Sequence, residues 1–385
     1  MTDPTSMISL LLRTKRLFPL LFLLACLVTG LSAADSPPVS YRKLIRKGPM
    51  VVHLVEIDPK EIEPIIVAGM ETGFSLETVA SMAMRYGAIA AINGGFFADA
   101  GQMAGVARCG LKIDGEWYQL PTPGRVALGW KKGGVAALIG RPSLHLELHL
   151  GEQLLPIQVL NQPPKAHELA LLTPAFHRSS LTSPQEEELL ILGERIVEKR
   201  HGGGKALIPI GGQVVAFGRE RKSEIESLSL ETSAKVVARF EGEQAELWEA
   251  CDYLVGGSPW LVREGKVVQE MESEKVLSSF LYQRHPRTAL GLTATGHWLL
   301  VVVDGRKMGH SMGATAQELA KLLVELGAVE ALNLDGGSSS TLFFANRVVN
   351  QPASSFFQTQ PQGYPVGHAI LLCPRPSINR PSGAK

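Results

Sequence analysis

Apolar residues recur along the chain in two similar units, each with a helix followed by a buried strand. From Ser75 to Tyr86 they repeat at helical spacing, and the stretch from Ala88 to Ile92 after the next glycine is continuously apolar. The order returns near the other end of the chain. A capping box at Thr315 begins a leucine-striped helix, and an apolar run from Val329 to Leu334 follows it.

Both units end in a glycine turn that carries a polar residue. The first turn is Asn93-Gly94-Gly95, and the second is Asp335-Gly336-Gly337, followed by the hydroxyls of Ser338, Ser339, Ser340 and Thr341. The units are a distant internal repeat or a reused supersecondary element. Side-by-side packing of their strands would bring both turns to one sheet edge, where open α/β sheets bind ligands.

These patterns predict an α+β fold. We expect a mixed β-sheet core with two main helices, starting at Ser75 and Thr315, and a ligand cleft where the strands end. Runs from Met50 to Ile57, Leu144 to Leu150 and Trp298 to Val303 predict further strands. The alternation at Leu144–Leu150 indicates a strand with one wet face; a metal site on its histidines is the less favoured alternative.

The N-terminus predicts export. Basic residues, a short apolar run and Ser32-Ala33-Ala34 indicate a signal peptide over residues 1–34. Lipidation of Cys26 is a weaker alternative. Residues 35–74 are predicted to add strands to a main domain at 75–374, with a disordered tail at 375–385. We expect a periplasmic or extracellular protein without a transmembrane segment in the mature chain.

The composition of the chain favours some classes of function and argues against others. The chain is 45% hydrophobic and 19% charged, which is typical of a globular enzyme. Its formal net charge of +1 argues against a nucleic-acid partner, because nucleic-acid binders carry a strong basic excess. Cys109, Cys251 and Cys373 show no metal-binding spacing, and the sequence does not decide whether two of them pair.

Four segments carry candidate chemistry. Asn93 places an amide at a strand exit, or it closes a tight turn. Arg287 offers a guanidinium fork for phosphate oxygens, or forms a surface ion pair. Asp304 follows a buried strand, or starts an ordinary hairpin. The turn after Asp335 is the most specific signal, because successive backbone N–H groups and hydroxyls can hold an anion.

A fifth segment leads into the second helix. His310 is a candidate acid or base, or a loop histidine, and Ser311 lies beside it. The helix that follows favours anions near its N-terminus. Residues 200–205 are glycine-rich, but they lack the strand-to-helix context of a phosphate-binding loop and read as a hairpin tip.

In this order, the motifs resemble the phosphodiester glycosidase family across residues 75–372. The resemblance is carried by Asn93 to Phe97, Gly257 to Leu261, Arg287 to Ala289, Val303 to Arg306, Ser311 to Leu319 and Asn333 to Thr341. One departure is Ser338, where the family has a third glycine. A positive φ at that position would strain a serine.

The resemblance implies an exported hydrolase that cleaves a sugar-1-phosphodiester in an envelope or extracellular glycan such as an exopolysaccharide. On this reading Asp335 is the base or nucleophile and Asp304 its partner, while Arg287 and residues 338–341 hold the phosphate. No cofactor is implied. The alternatives are a non-catalytic polysaccharide-binding module and a hydrolase that uses a divalent cation held by Asp304, Asp335 and the asparagines as oxygen ligands.

Overall fold

Antiparallel β-sheet dominates the fold. The computed structural model describes residues 38–73, 75–204, 206–226, 228–353 and 361–375. Strands account for 43% of the structure and helices for 14%. The predicted signal peptide, Cys26 and the C-terminal tail beyond 375 lie outside the described residues, so the expectations for them stay predictions.

Numbered in chain order, the helices are short and the strands many. The helices are α1 Val79–Arg85, α2 Ser223–Glu226, α3 Ala245–Glu249, α4 Ser278–Tyr282 and α5 Ala316–Glu325. The strands are β1 Val39–Arg46, β2 Met50–Ile57, β3 Ile62–Ala68, β4 Ala90–Asn93, β5 Leu111–Ile113, β6 Glu116–Gln119, β7 Ala127–Trp130, β8 Ala137–Gly140, β9 Ser143–Leu150, β10 Gln153–Ile157, β11 Val159–Leu160, β12 Leu169–Leu172, β13 Glu187–Leu192, β14 Arg195–Arg200, β15 Gly212–Phe217, β16 Ala234–Glu241, β17 Tyr253–Gly256, β18 Trp260–Arg263, β19 Lys266–Val267, β20 Arg287–Thr293, β21 Trp298–Val303, β22 Ala328–Asn333, β23 Leu342–Phe344, β24 Arg347–Val348 and β25 His368–Pro374.

The strands form five sheets. A seven-stranded sheet has the order β1-β2-β21-β20-β22-β18-β19. Three five-stranded sheets have the orders β24-β23-β4-β25-β3, β6-β5-β17-β7-β8 and β11-β12-β15-β13-β14, and a three-stranded sheet has the order β10-β9-β16. We call the first two the large sheet and the β4 sheet.

The large sheet, the β4 sheet and the five-stranded sheet that contains β17 share one hydrophobic core, which includes Ile92, Val255 and Leu332. Helix α5 covers the opposite face of the large sheet, where Leu319 and Leu323 are fully buried. Helix α1 packs on the β4 sheet in the same way. Each helix therefore buries one apolar stripe against a sheet, which explains why the two helix–strand units look alike in sequence.

The predicted α+β class is correct only in part, because the structure is mostly β and its sheets are not mixed as expected. Among the paired strands of the described chain, only β11 and β12 run parallel. β4 and β22 are not neighbours in one sheet but lie in different sheets. Hydrophobic periodicity reports the faces of a strand, whereas strand pairing depends on residues distant in sequence.

Several predicted elements are confirmed. β2 and β21 have the expected bounds, and the capping box at Thr315 is present with both of its hydrogen bonds. The first helix begins later than expected, at Val79, because the Thr78 hydroxyl caps it. Residues 200–204 are not the tip of a hairpin, because β14, which ends at Arg200, does not pair with β15, the next strand along the chain. Within the described residues, no helix has the length and apolar character needed to cross a membrane.

Candidate active site

The two glycine turns meet, although their strands belong to different sheets. The Asn93 Nδ2 donates to the Asp335 carbonyl oxygen at 2.8 Å, and the Asp335 N–H donates to the Gly94 carbonyl at 3.2 Å. The Asn93 Oδ1 accepts from the Thr288 hydroxyl at 2.7 Å and the Thr341 N–H at 3.2 Å. Asn93 is fully buried, so this amide fastens the turns together and does not reach out toward a ligand.

Gly94 and Gly95 are also buried, and their lack of side chains serves packing. A Cβ at Gly94 would lie 2.2 Å from His368 Cδ2, and one at Gly95 would lie 2.3 Å from the Gly256 carbonyl oxygen. The Gly95 N–H donates to His368 Nε2 at 2.9 Å. Burial lowers the pKa of His368 to about 4, which keeps this imidazole neutral and able to accept that bond.

A cavity of about 610 Å³ opens above the second turn. Asp335, Gly336, Gly337, Ser338 and Ser339 form one wall. Asp99, His285 and Arg306 bring charged or ionisable groups, and Phe97, Phe280 and Tyr364 bring aromatic rings. The mixture of aromatic faces with a few polar groups is typical of a small-molecule pocket.

Asp335 has an unusual protonation equilibrium. Burial raises the pKa of this carboxyl to about 6, against opposing hydrogen bonds from Ser339 and the Gly336 N–H, and the charge of Asp99 raises it further. The Gly336 bond measures 2.9 Å to Oδ1. A carboxyl group whose pKa lies near neutral can exchange a proton during a reaction at physiological pH.

The backbone of the second turn explains its glycines. The positive φ of the turn falls on Gly337, at 64°, and not on Ser338. The serine in place of the family's third glycine is therefore unstrained, and the strain considered from the sequence does not arise. Ser338 lies on the cavity wall half-buried, whereas Thr341 is fully buried behind the turn.

Arg287 is fully buried, and its guanidinium lies 4.6 Å from the ring centroid of Phe280, which lines the cavity. Its Nε donates to the Ala314 carbonyl at 2.9 Å, and its Nη2 donates to the carbonyls of Phe280 and Gln283. Burial lowers its pKa to about 10, so the group still carries its charge at neutral pH. No carboxylate of the described residues lies within 4 Å of it, and its Nη1 has no hydrogen-bond partner. The side chain does not line the cavity as a phosphate clamp should.

Asp304 is buried as well, and its oxygens are occupied. Oδ2 accepts from His53 Nε2 at 3.1 Å and from His310 Nε2 at 2.8 Å. Oδ1 accepts from Asn350 Nδ2 at 3.3 Å and the Gln351 N–H at 2.8 Å. Burial raises the pKa of Asp304, but the hydrogen bonds from His53, His310 and the Gln351 N–H, with the charge of His53, together outweigh burial, so the net pKa lies below its ordinary value.

His310 and Ser311 belong to this buried cluster. The Ser311 hydroxyl donates to the Asp304 carbonyl at 2.6 Å and accepts from the Val51 N–H at 3.1 Å. Neither His310 nor Ser311 lines the cavity. Across the described part of the chain, no group of three or more His, Cys, Asp or Glu side chains is arranged to hold a metal ion. Cys109, Cys251 and Cys373 are free thiols.

Sequence reasoning missed several residues of the cavity. Asp99, Phe280 and Tyr364 follow no recognisable motif, and only the fold brings them to Asp335. The sequence did offer a signal for Arg306, because this residue directly follows the Asp304-Gly305 pair that comes after β21. The Arg306 side chain, three residues past the strand, lies at the cavity, while the Asp304 side chain is buried in the protein.

Comparisons with known proteins identify a family for part of the chain. Residues 186–372 match the phosphodiester glycosidase family. The N-acetylglucosamine-1-phosphodiester alpha-N-acetylglucosaminidase of Bos taurus is 30% identical over 109 residues, which is 26% of this chain and 20% of that protein. The chain spans a fifth or less of the length of the curated relatives that it matches first.

Solved structures resemble the chain over most of its length. The crystal structure of a hypothetical protein from Synechocystis superposes with a TM-score of 0.74 at 25% identity, covering 89% of this chain and 65% of that one. A structure from Burkholderia pseudomallei K96243, described as an exported protein, has a TM-score of 0.71 at 22% identity and covers 85% of this chain and 74% of that one. The family match includes Arg287, Arg306 and the whole Asp335 turn. Residues 186–372 of this chain therefore belong to the phosphodiester glycosidase family.

Proposed function

We propose that the protein is an exported glycosidase that hydrolyses the bond between a sugar and the phosphate of a sugar-1-phosphodiester. The observation that carries this proposal is the cavity, which pairs the raised-pKa carboxyl of Asp335 with positive charge from Arg306 and from Arg287, which stacks on the cavity residue Phe280. Family membership supports the reaction class. The basic and apolar N-terminal sequence supports export.

The charges suit an anionic diester. Arg306 lies at the cavity, and the buried guanidinium of Arg287 has no carboxylate within ion-pair distance among the described residues. A buried cation without a counter-charge is costly, and a bound anion nearby relieves that cost. We therefore assign phosphate contact to Arg306 and long-range charge compensation to Arg287, and not the direct clamp expected from the sequence.

The aromatic side chains suit a sugar ring. Phe97, Phe280 and Tyr364 offer faces against which the C–H surface of a pyranose can pack, and Ser338 offers a hydroxyl. Such a division, with apolar faces for bulk and a few polar groups for orientation, fixes a small ligand in one pose.

In the reaction, water attacks the anomeric carbon, the carbon–oxygen bond to phosphate breaks, and the phosphate monoester leaves with the bonding electrons. Asp335 takes the proton from water as general base, which requires its ionised form. A phosphate monoester is a good leaving group, so a strong acid on the departing oxygen is not needed. Asp99 is the second carboxylate at the cavity and takes the partner position that the sequence suggested for Asp304.

The test is hydrolysis of p-nitrophenyl diesters of sugar 1-phosphates in water enriched in oxygen-18. A phosphodiester glycosidase places the label on the sugar and releases p-nitrophenyl phosphate. A phosphodiesterase places it on phosphate and releases p-nitrophenol, which would contradict the proposal. A panel of sugars identifies the donor, and a parallel series with chelator tests dependence on a divalent cation.

The matched variant is Asp335→Asn, which keeps size and removes charge. We expect turnover to fall about a hundred- to ten-thousandfold, the range for a lost acid–base group. Binding of a sugar-1-phosphodiester without turnover in the unaltered protein would instead support a binding module.

A further inference from the structure

Asp304 lies outside the cavity, and its chemistry is unexplained by the proposed reaction. It follows β21 and is 1% exposed, with four N–H donors divided between its two oxygens. An oxygen that already accepts two hydrogen bonds has no lone pair directed at a substrate. Asp304 therefore cannot act directly on the reacting atoms in this arrangement.

The histidines around Asp304 hold it in one orientation. Because His53 donates through Nε2, its Nδ1 is the acceptor for the Tyr41 hydroxyl, which lies at 2.9 Å. Donation by His310 through Nε2 completes the pair on Oδ2. Charge-assisted hydrogen bonds of this kind are about twice as strong as neutral ones. Because they fix Oδ2, the other oxygen of the same carboxylate, Oδ1, also has a fixed direction.

Asn350 occupies that direction. Its Nδ2 donates to Asp304 Oδ1 and, at 3.0 Å, to the Ser340 carbonyl. Its Oδ1 accepts from the Leu342 N–H at 2.8 Å. An ionised carboxylate only accepts hydrogen bonds, so the NH₂ group of Asn350, and not its carbonyl oxygen, must face Asp304. The Asn350 Oδ1 is then turned toward the backbone of residues 340–342, where it accepts from the Leu342 N–H.

That backbone continues directly from the Asp335 turn. Ser340 ends the turn, and Leu342 begins β23, which pairs with β4 beside Asn93. Asn93 in turn holds the Asp335 carbonyl and the Thr341 N–H. The Asp335 turn is thus supported by two buried amides, and one of them takes its orientation from Asp304.

We propose that Asp304 is a positioning residue that orients Asn350 and through it holds the Asp335 turn in its reactive geometry. Only the expected change in kcat rests on the proposed function. The structural link between Asp304 and residues 340–342 stands independently of any substrate.

The experiment compares Asp304→Asn, Asn350→Ala and the double variant, with Glu188→Gln as the matched control. Glu188 is equally buried and accepts from Thr182, but it lies in the β13 sheet away from the cavity. We expect kcat to fall about ten- to a hundredfold in each single variant, because small misplacements of a reacting group have effects of that size. KM should stay within about threefold, and the double variant should be no slower than the slower single variant.

Amide hydrogen exchange supplies a readout that needs no substrate. Asp304→Asn should speed exchange at Leu342, which Asp304 does not contact, whereas Glu188→Gln should not. Multiplied kinetic losses in the double variant, or unchanged exchange at Leu342 in Asp304→Asn, would overturn the positioning role. Lack of turnover by the unaltered protein refutes the proposed function alone, since the exchange result still decides the role of Asp304.

Discussion

Replacing Asp335 with Asn should stabilise the protein while it removes activity. Asp335 is partly buried beside its own turn, and burial is the main reason that its pKa rises from 3.8 to about 6. Asn keeps the oxygen that accepts from the Gly336 N–H, so the turn geometry can persist. What the substitution removes is a negative charge that the folded state disfavours.

The size of the effect follows from the pKa. A pKa shift of about two units means that ionising the Asp335 carboxyl lowers the free energy of unfolding by up to about 3 kcal/mol. For a domain of this size the melting temperature of Asp335→Asn should therefore rise by roughly 5 °C at neutral pH. Most substitutions at partly buried positions destabilise, so a stabilising one is diagnostic of a functional site.

The pH dependence tests the cause. Below pH 4 the carboxyl is protonated in both the folded and the unfolded protein, so the two variants should melt together. Between pH 4 and 6 the unfolded chain ionises first, because the folded pKa is the higher one. The folded state then binds more protons, and the unaltered protein loses stability as the pH rises. The difference should reach its full size above about pH 6.

Thermal melts of both proteins from pH 3.5 to 8 give the result. Groups far from Asp335 titrate alike in the two proteins, so the difference between melts reports on Asp335 and on its electrostatic neighbour Asp99. A pH-independent difference, or a less stable Asp335→Asn variant at pH 7, would refute the assignment of a raised pKa to burial.

Three further predictions concern the cavity. Because Asp335 is assigned as a base, kcat/KM should fall as the pH drops below about 6; a rate that rises there would make it an acid. Asp99→Asn should move that acid limb to lower pH, since the Asp99 charge raises the Asp335 pKa, and an unmoved limb would remove Asp99 from the site's electrostatics. Gly337→Ala should lower the free energy of unfolding by about 1–2 kcal/mol in denaturant titrations, because alanine is strained at a φ of 64°. The control for the backbone effect alone is Gly87→Ala, since Gly87 is exposed, has a φ of 63° and has no atom within 4 Å of an added Cβ.

The local elements of this protein were predictable from the sequence. The continuous apolar run of β21 and the capping box at Thr315 depend on neighbouring residues only, and both are confirmed. The Asn93 and Asp335 turns were identified because a polar residue between an apolar strand and two glycines is locally distinctive. Their roles in the reaction stay predictions.

Tertiary structure alone decided which of these polar residues face the cavity. All four residues lie at, or within three residues of, a strand boundary, yet Arg287 and Asp304 are buried and Arg306 and Asp335 line the cavity. Asp99 and Tyr364 join them from loops distant in sequence. A motif specifies where a strand ends, but burial and pKa depend on what packs over that end, and contacts between distant segments set both.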